Sequence, residues 1–102
     1  MFSDSFICAL SYYCIDELLN TIDSFKNKIN CKVCNLSACE DLVSVDLESQ
    51  DGESISLNIF LKGNNLSIDL IIIGSLVYFD TVYEIFKECL ISNMRGFLSI
   101  YK

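Results

Sequence analysis

Histidine, proline and tryptophan are absent from this chain of 102 residues, and glycine occurs only four times. Without histidine, general acid–base and triad mechanisms lose their commonest participant, and a zinc site loses its imidazole ligand. The four glycines (Gly52, Gly63, Gly74, Gly96) all fall at expected turns or a helix end, which leaves none for a phosphate-cradling loop. Basic residues are also scarce: seven stand against fourteen acidic ones, for a net charge of −7. Such a field repels polyphosphate backbones and anionic headgroups, so neither a nucleic acid nor a membrane is an expected partner. No uninterrupted apolar run approaches the ~20 residues of a spanning helix. The greasiest stretch, LSIDLIIIGSLVYF (66–79), is broken by Asp69 and by a turn at Gly74–Ser75. The opening MFSDSFICAL carries Asp4 and no basic residue, unlike a secretion leader. The six cysteines are therefore expected to be reduced thiols of the cytosol or nucleus.

What the chain has in excess is apolar side chains, at 52% with a mean hydropathy of +0.42. A domain this small has much surface for its volume, so part of that apolar content has to reach the outside. The whole chain reads as one domain, with a core over roughly residues 14–92 and terminal segments free to dock.

Helical spacing is plain in CIDELLNTIDSFKNKI (14–29), where Ile15, Leu18, Leu19, Ile22, Phe25 and Ile29 recur on one face. The preceding SDSFICALSYY either extends this helix or forms a short separate one. From residue 42 the period changes to two. Val43, Val45 and Leu47 alternate with Ser44, Asp46 and Glu48; QDGE then supplies an Asp-Gly hairpin signal. Ile55, Leu57, Ile59 and Leu61 alternate with polar residues, KGNN turns the chain, and Leu66, Ile68, Leu70 and Ile72 complete a three-stranded meander. A final helix is expected from Asp80–Thr81, where Thr81 and Glu84 fit a capping box, to Gly96 as its C-cap. FLSIY closes the chain as a short strand or tail.

Three cysteines crowd INCKVCNLSAC (29–39). A zinc or redox reading would use Cys31, Cys34 and Cys39. Zinc wants four ligands, and only one C-x-x-C is present. A redox C-x-x-C sits at a helix amino terminus, whose dipole stabilises the thiolate, whereas here a helix precedes the motif. CKVC reads better as a strand, whose pleat sends Cys31 and Val33 to one face and Cys34 to the other. No metal and no cofactor is assigned.

The acidic pairs Asp16–Glu17 and Glu40–Asp41 read as solvated surface. Tyr12, Tyr13, Tyr78, Phe79 and Tyr83 read as core and rim. No catalytic constellation emerges, so an enzyme is not expected. The positive signal is apolar residues at positions that should be wet. Ile71 and Ile73 lie on the alternate face of the third meander strand, opposite Ser and Asn. Phe2, Phe6, Phe97, Leu98, Ile100 and Tyr101 lie beyond the expected helices. Either the termini fold over the sheet, or another protein subunit covers these residues.

The helix CIDELLNTIDSFKNKINCKVC, the meander LVSVDLESQDGESISLNIFLKGNNLSIDLIIIG and the closing helix FDTVYEIFKECL resemble the kinase-associated carboxy-terminal (KA1) domain. That domain ends the alpha subunit of AMP-activated protein kinase and its relatives. The resemblance covers residues 14–92 and lies in element order, length and apolar spacing. It implies a non-catalytic module that docks another subunit. Members that bind acidic phospholipids use basic patches, which this acidic chain lacks. RWD-type domains and the globular heads of kinetochore coiled-coil subunits share the same order and are also docking modules. The expected fold is α+β, a four-stranded antiparallel sheet with two helices packed on one face.

Overall fold

The computed structural model describes all 102 residues, apart from the side chains of Leu76 and Val77. Among the described residues the elements run β1 (Phe2–Leu10), α1 (Ile15–Lys28), β2 (Cys31–Ala38), β3 (Leu42–Ser49), β4 (Ser54–Lys62), β5 (Asn65–Ile73), α2 (Leu76–Asn93) and β6 (Phe97–Tyr101). The α+β class is as expected, but the antiparallel sheet has six strands, not four, in the order β2-β3-β4-β5-β1-β6.

The added strand at the amino terminus corrects the helical reading of SDSFICALSYY. Phe6, Cys8 and Leu10 alternate with Ser5, Ile7 and Ala9, and this period of two places the first set in the core. Cysteine and alanine are weak markers of either period, which is why the alternation was hard to see. β1 pairs with β5 from Phe2↔Ile72 to Ala9↔Asn65, and its other edge takes β6. FLSIY is therefore a strand held by the amino-terminal one.

The meander reads as expected. Val43, Val45 and Leu47 of β3, Ile55, Leu57 and Ile59 of β4, and Leu66, Ile68, Leu70 and Ile72 of β5 are all buried on one face. Gly52 takes a φ of 83° in the β3–β4 turn, a conformation that favours glycine. α1 ends where Asn30 adopts a left-handed φ of 56°. Leu18, Ile22 and Phe25 of α1 meet Val82, Phe86, Cys89 and Leu90 of α2 over the sheet.

Two expectations about the last helix are corrected. It begins at Leu76, capped by Ser75, whose Oγ accepts from the Tyr78 amide at 3.1 Å. Thr81 and Glu84 thus lie inside the helix. Gly96 is not its cap either, because Met94 ends the helix. A Cβ at Gly96 would stand 2.6 Å from the Tyr12 carbonyl oxygen, and Ser11 N–H donates to Gly96 O at 2.7 Å. Gly96 lets two backbones touch where β1 meets β6.

Both helices cover the same face for a topological reason. Through the antiparallel pairings, β1 and β2 point one way, while β5 and β6 point the other. α1 links the first pair by moving across the sheet in one direction, and α2 links the second pair in the opposite direction. Right-handed crossovers with both direction and polarity reversed land on one side. The other face stays open.

Phe6 is 2% exposed and sits at the centre of the core, its ring 5.2 Å from Tyr83 and 6.2 Å from Phe86. This corrects its expected place on a partner surface. Phe6→Ala is expected to cost about 3–5 kcal/mol, as large aromatic truncations in cores do. The check is a urea melt, in which the midpoint should drop sharply with the slope unchanged.

Candidate functional site

The open face is built from the residues that alternate with the core set. Reading across the strands, the register forms rows of side chains. The central row runs Ser37, Ser44, Asn58, Asp69, Ser5. Two of its neighbouring pairs are hydrogen-bonded: Ser44 Oγ donates to Asn58 Oδ1 at 2.9 Å, and Ser5 Oγ to Asp69 Oδ1 at 2.7 Å. In the next row Ser56 Oγ donates to Asp46 Oδ1 at 2.8 Å. Short hydroxyls and carboxylates thus satisfy one another and form a flat polar belt.

Apolar side chains rise on either side of that belt. At one end, Ile71 stands between Ser56 of β4 and Ser3 of β1, and Ile73 beside Ser54. Ile73 is 57% exposed and Ile71 half-buried. Because their neighbours are serines, the two isoleucines project from the sheet. At the other end a row runs Leu42, Phe60, Ser67, Ile7, Tyr101. Phe60 and Tyr101 are exposed there, while Leu42 and Ile7 are half-buried. The four residues from Ser67 to Ile71 separate the bands by roughly 13 Å along the strand.

The eight residues expected at a partner surface therefore part company. Ile71 and Ile73 lie on the open face. Tyr101 lies on the same face in the distal row, and Leu98 is exposed at a bulge in β6. Phe97 and Ile100 pair with Leu10 and Cys8 and pack on the covered face. Phe2 also lies there, its ring 6.0 Å from Phe79. Leu42, Phe60 and Ile7 were missed. Phe60 had a signal, as the aromatic residue at a wet position of SISLNIFL; Ile7 had none until β1 was known to be a strand.

The chain matches no family model and no curated protein. Among the described residues, no helix is long and apolar enough to cross a membrane. The functional reading rests on the geometry of the chain itself.

The cysteine-rich segment is strand β2, as the spacing indicated. Cys31 turns to the helix side, its Sγ 3.7 Å from both the Tyr78 hydroxyl and the Ile29 carbonyl oxygen. Cys34 Sγ lies 3.8 Å from Glu48 Oε2, an open-face carboxylate. The two thiols of C-x-x-C point to opposite faces. Burial raises the Cys31 pKa, and the hydrogen bond to Tyr78 only partly offsets this. A thiol held protonated is a poor nucleophile and a poor ligand. Among the described residues, no three cysteine or carboxylate side chains gather as a metal site. A cleft of about 320 Å³ where the start of β2 meets the end of β3 is lined by Asn30, Cys31, Lys32, Glu48, Ser49 and Gln50. The Tyr78 hydroxyl is pushed well above its ordinary pKa, chiefly by burial, then by the Cys31 hydrogen bond. It therefore stays protonated near neutrality.

Cys8 is fully buried, and desolvation lifts its pKa from 9.0 to about 11. Its neutral form is thus favoured in the folded state. The resulting stabilisation is complete below pH 9 and is lost as pH rises toward 11. A thiol-reactive dye at pH 8 is expected to label Cys34 and Cys39 quickly and to leave Cys8 and Cys89 unlabelled until denaturant is added. Mass mapping of the labelled peptides checks this order.

Proposed function

We propose that the chain is a non-catalytic protein-interaction module whose partner polypeptide docks on the open face of the sheet. The observation that carries this reading is the projecting pair Ile71 and Ile73. They are flanked by serines, on a face that no described helix covers. Exposed apolar side chains rimmed by satisfied polar groups have the anatomy of a recognition surface. The belt of Asp46, Asp69 and their serine donors favours a partner that brings an apolar anchor flanked by hydrogen-bond donors or basic groups.

The role implied by the resemblance is subunit docking in a kinase-type regulatory complex, as in the carboxy-terminal domain of AMP-activated kinases. The open-faced α+β layout is compatible with that role. The non-catalytic part of this reading is supported by two features of the described residues. On the open face Ser44 pairs with Asn58, Ser56 with Asp46 and Ser5 with Asp69, and the thiols of the cysteine-rich strand diverge.

The test is the double variant Ile71→Ser, Ile73→Ser. Both residues lie outside the core, so each substitution should move folding stability by no more than about 0.5 kcal/mol. Loss of an anchoring pair should weaken partner binding about tenfold or more. Circular dichroism and parallel pull-downs from native extract with wild type and variant provide the readout. A folded variant that retains every wild-type partner sinks the proposal, and so does an unfolded one.

A further inference from the structure

The two edges of the sheet are unlike. β6 is five residues long, and its partner β1 ties it down; Lys102 Nζ just beyond it also bonds Asp4 Oδ2 at 2.6 Å. β2 is eight residues long, and beyond Cys31 all its residues are exposed. Its outer backbone groups have no strand beyond them in the sheet order. An exposed strand edge is a template for another strand.

β2 also has a break in its alternation. Val33 pairs with Leu47 and Asn35 with Asp46, so Cys34 is an extra residue at a bulge. Cys31, Val33, Leu36 and Ala38 pair with helix-side residues of β3; Lys32, Asn35 and Ser37 pair with open-face residues. Cys34, beside Glu48, joins the open-face set. Consecutive residues 34 and 35 thus share a face. A regular strand laid on this edge would match one half of β2 and be out of phase with the other. A strand carrying the same break matches both.

We infer that β2 pairs antiparallel with β2 of a second copy of this chain, forming a two-fold dimer with one continuous sheet. The matching register sets Val33 against Leu36′, Cys31 against Ala38′, Lys32 against Ser37′ and Cys34 against Asn35′, where the prime marks the second copy. Every pair then joins side chains of one face. Val33 and Leu36, 40% and 47% exposed and left bare by the helices, become a cluster of four apolar side chains across the two-fold axis. Charge permits the contact: residues 29–39 hold one lysine and no acid in a chain of net charge −7. The pairing strand itself therefore brings no carboxylate into the contact. The bulge restricts pairing to one register instead of forbidding it. This surface is separate from the Ile71–Ile73 face and stands or falls independently of it.

The register makes three linked demands on the full-length chain. Sedimentation velocity under reducing conditions should show a monomer–dimer equilibrium. Cys34 and Cys34′ are diagonal neighbours at the axis, so a short bismaleimide should cross-link the dimer. The cross-link should survive Cys39→Ser and vanish in Cys34→Ser. Ser37→Lys, which faces Lys32′, should weaken association roughly two- to tenfold, while Ser37→Asp should strengthen it. A chain monomeric at every concentration overturns the proposal, as does growth beyond two copies. So does a dimer indifferent to both Ser37 charges. If Ser37→Lys loses its circular dichroism, Ser37→Asp and the Cys34 cross-link decide the matter.

Discussion

The fold depends on the insertion of β1 between β5 and β6. Without that strand the sheet would end at β5, and β6 would have nothing to pair with. Its inward residues also complete the core: Phe6 meets Tyr83 and Phe86 edge-on, and Phe86 in turn meets Phe25 of α1 at 5.0 Å. One aromatic chain thus joins the amino-terminal strand to both helices. The pairing joins residues 2–9 to residues 65–72, so it closes a long loop whose entropic cost must be met before any contact offsets it. The local β3–β4–β5 meander is the natural early structure, and β1 docks onto it.

The same connectivity makes the molecule one-sided. Two crossovers, opposite in both direction and strand polarity, put both helices on a single face, and the sheet alone makes the other. That second face is ordered by cross-strand pairing. Serines and carboxylates bond across the middle of the sheet, and apolar residues gather at its two ends. The apolar surplus in the composition is thus sorted into defined bands by register, and these bands are what a partner would meet.

Much of this was legible in the sequence. The meander and the first helix followed from periods that only one element type satisfies: three consecutive alternating runs bounded by Asp-Gly and Gly-Asn turns, and an apolar stripe of period 3.6 in residues 14–29; the strand character of CKVC followed from the missing zinc ligands and from a helix that precedes the motif. The start of α2 was misplaced because Leu76–Phe79 shows no amphipathic contrast, and Thr81–Glu84 imitated a cap that Ser75 supplies. β1 was missed because Cys8 and Ala9 suit either element and because Asp4 interrupts its inward set. Gly96 seemed a cap when its role was to let Tyr12 pass close by, a contact between residues 84 positions apart in the chain.

The sequence by itself determined the α+β class, the alternation that makes one face of the meander apolar, and the direction in which each of its side chains points, because these follow from local period and turn chemistry. Only the tertiary structure decided which of the leftover apolar residues are wet. Phe6 went inward, Leu98 outward, and Tyr101 came to share a row with Phe60 and Ile7. The physical reason is that exposure depends on what lies across the sheet, and strand order is set by pairings between distant segments that no local pattern encodes.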